Sequence, residues 1–256
     1  MNSIATRKAQ IKNAIATDKI QPFIQPIVNI NKKLVGFEVL ARWIVSEHEI
    51  QLPLKFIPII KDDQPLSESL TISLLQQLIK HFTVHQNKEL FLSINIYSHS
   101  LTISVINLLT ELNVFINIVI EILENDDISN ANDFKIILHY LKIKGIKIAL
   151  DDFGCGNNIN DRLFDYPFDY VKIDKMFVRN IDNDVQKRES LQSMIQLIHY
   201  FNLPIIAEGV ENEHVFKILA TLDIEMYQGY LFSKPVPLTD TQYQQPLLIN
   251  SNLENK

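Results

Sequence analysis

One cysteine in 256 residues, Cys155, rules out an intrachain disulfide and gives no sign of an oxidising compartment. The opening segment Met1–Gln10 is polar and lacks the apolar core of a secretory leader. No apolar run approaches the ~20 residues that a membrane-spanning helix needs. The run Ile116–Leu123 is short, β-branched and ends in carboxylates, as a buried strand does. Positive charge is in deficit: 24 Lys and Arg stand against 30 Asp and Glu, a formal net charge of −6. That balance argues against a general binder of DNA, RNA polymers or membrane surfaces. No Pro/Gly/Ser-rich linker, low-complexity tract or fixed-period repeat divides the chain. The expectation is a single domain over residues 1–256, with a core from about 14 to 237 and a cytoplasmic location.

What is present is an alternation of short apolar runs with longer segments of helical period. Hydrophobic residues make up 46% and charged residues 21%, enough for a folded core. Arg7–Ala16 reads as a lead-in helix. Phe23–Val28 and Leu34–Arg42 read as strands joined by the turn Asn29-Ile30-Asn31-Lys32. Ser67–Phe82 carries Leu70, Leu74, Leu75, Leu78 and Ile79 on one helical face. Strand-like runs at Leu90–Ile96, Ile118–Leu123, Ile146–Leu150, Tyr170–Ile173, Pro204–Ala207 and Met226–Phe232 follow. Most are separated by helical segments at Leu101–Leu112, Asp133–Leu141, Val185–Phe201 and Glu213–Leu219. Eight strands alternating with helices predict an α/β fold of the (β/α)8 barrel type, with an open doubly wound sheet as the alternative.

Barrel enzymes gather their chemistry at the C-terminal ends of the strands. Here those ends carry Glu38, Asn95, Glu121, Asp151-Asp152, Lys172, Glu208 and Gln228, nearly all able to bind a cation or a phosphate. Strand alternation puts Glu38, Leu40 and Arg42 on one face, so a carboxylate and a guanidinium can address one ligand. Singly, each has a bland reading: a solvated strand-edge glutamate, a turn-capping Asp-Asp, a surface lysine. The histidine pair His81 and His85, four apart on a helix with no third ligand apparent, reads as an exposed face. Cys155 reads as a small space-filling side chain.

Ordered blocks make the constellation specific. Gly36-Phe37-Glu38-Val39-Leu40-Ala41-Arg42-Trp43 resembles the signature block of EAL domains, with Val39 in place of the usual alanine. Gln25-Pro26-Ile27-Val28, Ser93-Ile94-Asn95-Ile96, Glu121-Ile122-Leu123-Glu124, Asp151-Asp152-Phe153-Gly154, Lys172-Ile173-Asp174, Ala207-Glu208-Gly209-Val210-Glu211 and Gln228-Gly229-Tyr230 follow the family's order. No cyclase or sensor domain is recognisable in the chain, so a stand-alone EAL domain is expected. The resemblance implies a modified TIM-type barrel whose second strand runs antiparallel to the rest. It also implies a metal-dependent phosphodiesterase that opens cyclic di-GMP to linear pGpG. Two divalent cations, Mg2+ or Mn2+, would be held by Glu38, Asn95, Glu121, Asp151 and Asp152, with Ca2+ inhibitory. Lys172, Glu208 and Gln228 take catalytic positions, Gln25, Leu40, Arg42 and Glu211 contact substrate, and Glu124 steadies the loop after Asp151-Asp152. A homodimer and a regulatory protein partner are compatible with it.

The departures concentrate in one loop. Where the family shows Thr-Gly-Tyr-Ser-Ser after Asp-Asp-Phe-Gly, this chain reads Cys155-Gly156-Asn157-Asn158-Ile159, and the threonine of E-x-T-E is Leu123. The alternative function is therefore a catalytically weak or inactive cyclic di-GMP receptor or protein-binding adaptor.

Overall fold

Helix α1 (Ile4–Ala16) leads into strands β1 (Ile20–Asn29) and β2 (Leu34–Ser46) and a short strand β3 (Glu49–Gln51). Helices α2 (Ile57–Ile60) and α3 (Gln64–Phe82) precede a regular alternation: β4 (Asn87–Asn95), α4 (Ile103–Phe115), β5 (Ile116–Leu123), α5 (Ala131–Ile143), β6 (Lys147–Phe153) and α6 (Ile159–Asp165). It continues through β7 (Tyr170–Ile173), α7 (Lys175–Val178), α8 (Val185–Tyr200), β8 (Ile205–Ala207), α9 (Glu213–Ala220), β9 (Met226–Gln228) and β10 (Val236–Pro237). The structure, a computed structural model, describes residues 4–128, 130–155 and 159–239. One ten-stranded sheet runs β10-β1-β9-β8-β7-β6-β5-β4-β2-β3, and an added β1–β2 pairing closes it. β3 and β10 are short outliers, and the other eight strands form the predicted barrel.

The strand that runs against the others is β1, not the second strand. The turn is tight: Asn29 Oδ1 accepts the N–H groups of Asn31 at 3.0 Å and Lys33 at 2.9 Å, with Lys32 at φ 58°. Such a turn makes β1 and β2 mutually antiparallel but does not say which is reversed. The neighbours decide: β2 joins β4 in parallel, and β9 pairs with β1 antiparallel. Gln25 therefore lies opposite Glu38 and Gln21 opposite Arg42, so the start of β1 stands at the mouth.

Polar caps start the helices where the sequence supplies them. Asp63 accepts from Leu66 N at 3.3 Å, Asp184 from Lys187 N at 3.0 Å and Asn212 from Val215 N at 2.9 Å. Apolar stripes then face the sheet, as Phe134, Leu138 and Leu141 do on α5. The main core lies between the strands' outer faces and the helices, and a second cluster packs α1 and α3 against Trp43 and Phe56. No helix among the described residues is long and apolar enough to cross a membrane.

Candidate active site

Inside the barrel, the two-residue period of a strand converts an apolar layer into a polar one. Ile27, Ile206 and Met226 are buried together, with Phe91 and Tyr170 against them, as a plug. Two residues along the same strands stand Gln25, Glu208, Gln228, Ser93 and Lys172. The side-chain contacts show that this next layer shares one space. Lys172 is fully buried and its Nζ lies 2.6 Å from Glu208, 2.7 Å from Glu121, 3.2 Å from Asp151 and 3.6 Å from Glu38. Ser93 Oγ donates to Glu121, and Asn95 Nδ2 donates to Glu38 Oε1 at 2.9 Å. Gln228 Nε2 reaches Glu38 Oε2 at 2.5 Å and Gln25 Oε1 at 3.1 Å, while Gln25 donates to the Ser233 carbonyl at 3.0 Å.

Four carboxylates around one ammonium leave surplus negative charge in a place with little water. Burial pulls the Lys172 pKa down, but Asp151, Glu121, Glu208 and Glu38 outweigh it and hold the ammonium well above its usual range. Burial pushes Glu121 well above the carboxylate range against the pull of Lys172. Glu208 is pushed up to about 8, first by burial and then by Asp151 and Glu38, with Lys172 opposing. Asp152 is pushed up to about 7 by burial, Asp151 and Asp174.

Consecutive strand residues point to opposite faces, so Asp151 and Asp152 should not both reach the mouth. A bulge resolves this. The β6–β7 register shifts between Leu150 and Phe153, and Asp152 takes φ 54°. Oxygens of Asp151, Asp152 and Glu208 come within 4.8 Å of one another. Glu121 Oε2, buried, has no hydrogen-bond partner among the described residues. An all-oxygen set with surplus negative charge and an unsatisfied carboxylate oxygen fits hard divalent cations. Glu38, Asn95 and Glu121 border the same space.

Two clefts flank this group. The polar one is lined by Gln25, Glu38, Leu40, Arg42, Glu208, Glu211 and Gln228, together with Lys175, Arg179 and Tyr230. The apolar one is lined by Val39, Leu40, Ile57, Leu74, Ile96 and Tyr97, and reaches Asn95, Asp151 and Asp152. Leu40 touches both. Arg42 has its guanidinium pKa lowered by burial and, among the described residues, donates only to its neighbour's carbonyl, Ala41 O, at 2.9 Å. Glu211, at the exposed rim, pairs with Arg179 at 3.2 Å.

Apart from Glu124, which lines neither cleft, the structure brings the expected site residues to one mouth. Ser93, Asp174, Lys175, Arg179 and Tyr230 were not singled out in the sequence. Ser93 stands two residues before Asn95 on the inward face, a signal that strand period could have supplied. Arg179 comes from beyond α7, and nothing local to it signals the mouth. Glu124 Oε2 accepts the Gly154 N–H at 3.0 Å. Gly154 has φ 98°, and a Cβ there would come within 2.6 Å of Phe177 and Met194, so only glycine suits this turn. Cys155 is exposed, and partial desolvation with the nearby carboxylates pushes its thiol up to about 11. Of the altered loop, Gly156, Asn157 and Asn158 lie outside the described residues.

Fold and site together define a class: an α/β barrel with a reversed first strand, whose mouth gathers carboxylates suited to hard cations around one buried lysine. The chain belongs to the EAL domain family, whose model matches residues 8–235. It is 33% identical over 250 residues to the probable cyclic di-GMP phosphodiesterase PdeG of Escherichia coli K12, covering 93% of this chain and 49% of that protein. It is 29% identical over 246 residues to the cyclic di-GMP phosphodiesterase PdeL of the same organism, covering 89% of this chain and 65% of that protein. Among solved structures it matches the EAL enzyme Bd1971 in its cAMP- and cyclic-di-GMP-bound form, with TM-score 0.77 and 28% identity over 91% of this chain and 66% of that one. The chain therefore spans about half of PdeG and just under two thirds of the other two.

Proposed function

We propose that this chain hydrolyses one phosphodiester bond of cyclic di-GMP to give linear pGpG, with two divalent cations, Mg2+ or Mn2+, as cofactors. The observation that carries the reading is the cluster of Asp151, Asp152 and Glu208 oxygens within 4.8 Å, set around Lys172 and beside a cleft holding Arg42. Glu38, Asn95, Glu121, Asp151 and Asp152 would hold the cations, which supply positive charge for the phosphoryl oxygens and a more acidic water. The names of the relatives agree with this substrate.

The chain's own groups divide the remaining work. Lys172, kept protonated by its carboxylates, directs a fixed positive charge to the phosphate or the attacking water. Glu208 is 19% exposed at its side chain, against 0% for Glu121, so of these two Lys172 partners it is the one that solvent reaches. It accepts the proton of the incoming water or holds Lys172 on aim. Arg42 and Gln25 meet the nucleotide, and Arg42 suits a phosphate oxygen because its guanidinium lines the polar cleft and makes no ion pair among the described residues. The polar and apolar clefts on either side of the cluster suit the two purine halves of a cyclic dinucleotide.

The test is incubation of purified protein with cyclic di-GMP and Mg2+ or Mn2+, with nucleotides separated by chromatography. The expected result is pGpG, abolished by EDTA and unsupported by Ca2+. Glu208→Gln should lose turnover by orders of magnitude and keep nucleotide affinity in Ca2+. Hydrolysis that survives exhaustive chelation removes the cations from the mechanism. Tight binding without hydrolysis makes the chain a receptor.

A further inference from the structure

Three successive strands, β4, β5 and β6, deliver Asn95, Glu121 and the Asp151-Asp152 pair, and one buried acid outside that set links their exit loops. Asp126, in the loop after β5, is 7% exposed and lines neither cleft. Its Oδ2 accepts the backbone N–H of Ser98, in the loop after β4, at 2.6 Å. Ser98 Oγ in turn donates to the carbonyl of Asp127 at 3.3 Å. From the other side Arg162, on α6, donates from Nη2 to the backbone carbonyl of Asp126 at 2.5 Å, its guanidinium 5.9 Å from the Tyr166 ring centre. Two residues upstream, the Glu124 N–H donates to the Asp151 carbonyl at 3.0 Å and the Glu124 carboxylate accepts from Gly154. The segment Glu124–Asp127 is thus a hub joined to the loop after β4, the end of β6 and α6.

A carboxylate taken out of water costs free energy, and an apolar side chain in this place would cost less unless the hydrogen bonds serve a purpose. The mouth supplies one. Its carboxylates repel one another, and cation sites lose affinity when their oxygens stand off by fractions of an ångström. We propose that Asp126 and Arg162 are positioning residues that lock the loops after β4 and β5 to each other and to α6, and so hold Asn95, Asp151 and Asp152 at cation-binding separation. This rests on the metal-dependent reading above. Neither residue lines either cleft.

The test uses the full chain and Mn2+ alone, with binding followed by the electron paramagnetic resonance of free Mn2+. Asp126→Ala and Arg162→Gln should each weaken Mn2+ binding roughly tenfold, as removing groups that orient ligands does. Arg162→Lys, which keeps a cationic donor, should recover most of that affinity. In turnover, the Mn2+ concentration for half-maximal rate should rise, while the KM for cyclic di-GMP at saturating Mn2+ stays within twofold. If Asp126→Ala fails to fold, the half-buried Arg162 and its lysine rescue carry the test. Folded variants that bind Mn2+ as the wild type does overturn the positioning role alone. A wild type that takes up Mn2+ without hydrolysing the nucleotide overturns the enzymatic reading and leaves the affinities to decide positioning. A wild type that takes up no Mn2+ overturns both.

Discussion

The floor of the barrel mouth and its rim hold the same kinds of side chain in opposite conditions. On the floor Lys172 is fully buried among four carboxylates, at 2.6 to 3.6 Å. On the rim Arg179 and Glu211 make one ion pair at 3.2 Å with 54% and 48% of their side chains exposed. Water screens the rim pair, so either partner can swing to a ligand at little cost. The floor groups have no such freedom, because removing any one leaves the others uncompensated in a dry interior. A floor of this kind is built to hold charge in place for chemistry, and a rim of this kind to adapt to what arrives.

The largest expected effect follows from breaking the floor. Lys172→Met should cost about 3–5 kcal/mol of unfolding free energy in EDTA, since three or more buried carboxylates lose their counter-charge. Urea unfolding measures it, and Mn2+ should restore more stability to the variant than to the wild type by binding the native state. A loss well under 1 kcal/mol would mean that the floor is wet and the contrast with the rim is false.

Next comes pH. Asp152 sits at about 7 and Glu208 at about 8, both above their values in an unfolded chain. Between the unfolded and folded values the native state holds extra protons, so stability is greatest on the acid side and falls as pH rises to about 8. Unfolding in EDTA across that range should show this downward slope. Saturating Mg2+ should flatten or invert it, because cations displace the same protons. A stability that climbs with pH in EDTA would place these carboxylates with the solvated rim.

Smaller effects test the walls between floor and rim. Arg42→Ala should weaken cyclic di-GMP binding in Ca2+ by about 1.5–3 kcal/mol, the worth of a charge-assisted hydrogen bond, as titration calorimetry would show. Arg179→Ala should change unfolding free energy by about 0–1 kcal/mol. If Arg179→Ala proves as costly as Lys172→Met, the two regions are not different in kind.

Much of this was legible in local pattern. The strands from Leu90 onward, the helices α4, α5, α8 and α9, and the mouth residues Glu38, Asn95, Glu121, Lys172, Glu208 and Gln228 follow from strand period and βα rhythm, whereas the short helices α6 and α7 were not read from it. Two strand ends misled it. The run Ile146–Leu150 extends through Asp151 and Asp152 to Phe153, because the bulge keeps both acids within the sheet. The run Met226–Phe232 stops at Gln228, because Val210 N bonds the Gln228 carbonyl and Val210 O accepts from Leu231 N, turning the chain at Gly229. A Cβ on Gly229 would come within 2.1 Å of that Val210 oxygen.

The sequence alone determined most of the residues that reach the mouth, Glu38, Asn95, Glu121, Lys172, Glu208 and Gln228 among them, since a period of two and a repeating βα unit are properties of the chain itself; Asp152 and Arg179 needed the bulge and the tertiary fold. Tertiary structure decided what they meet there. Which of the first two strands is reversed depended on β4 and β9, because a hairpin sets only a relative direction. That Lys172 is buried and surrounded, and that Asp126 ties the loop after β4 and helix α6 to the loop after β5, depended on closing the sheet. Burial and charge pairing are properties of groups far apart in the chain and carry no local signal.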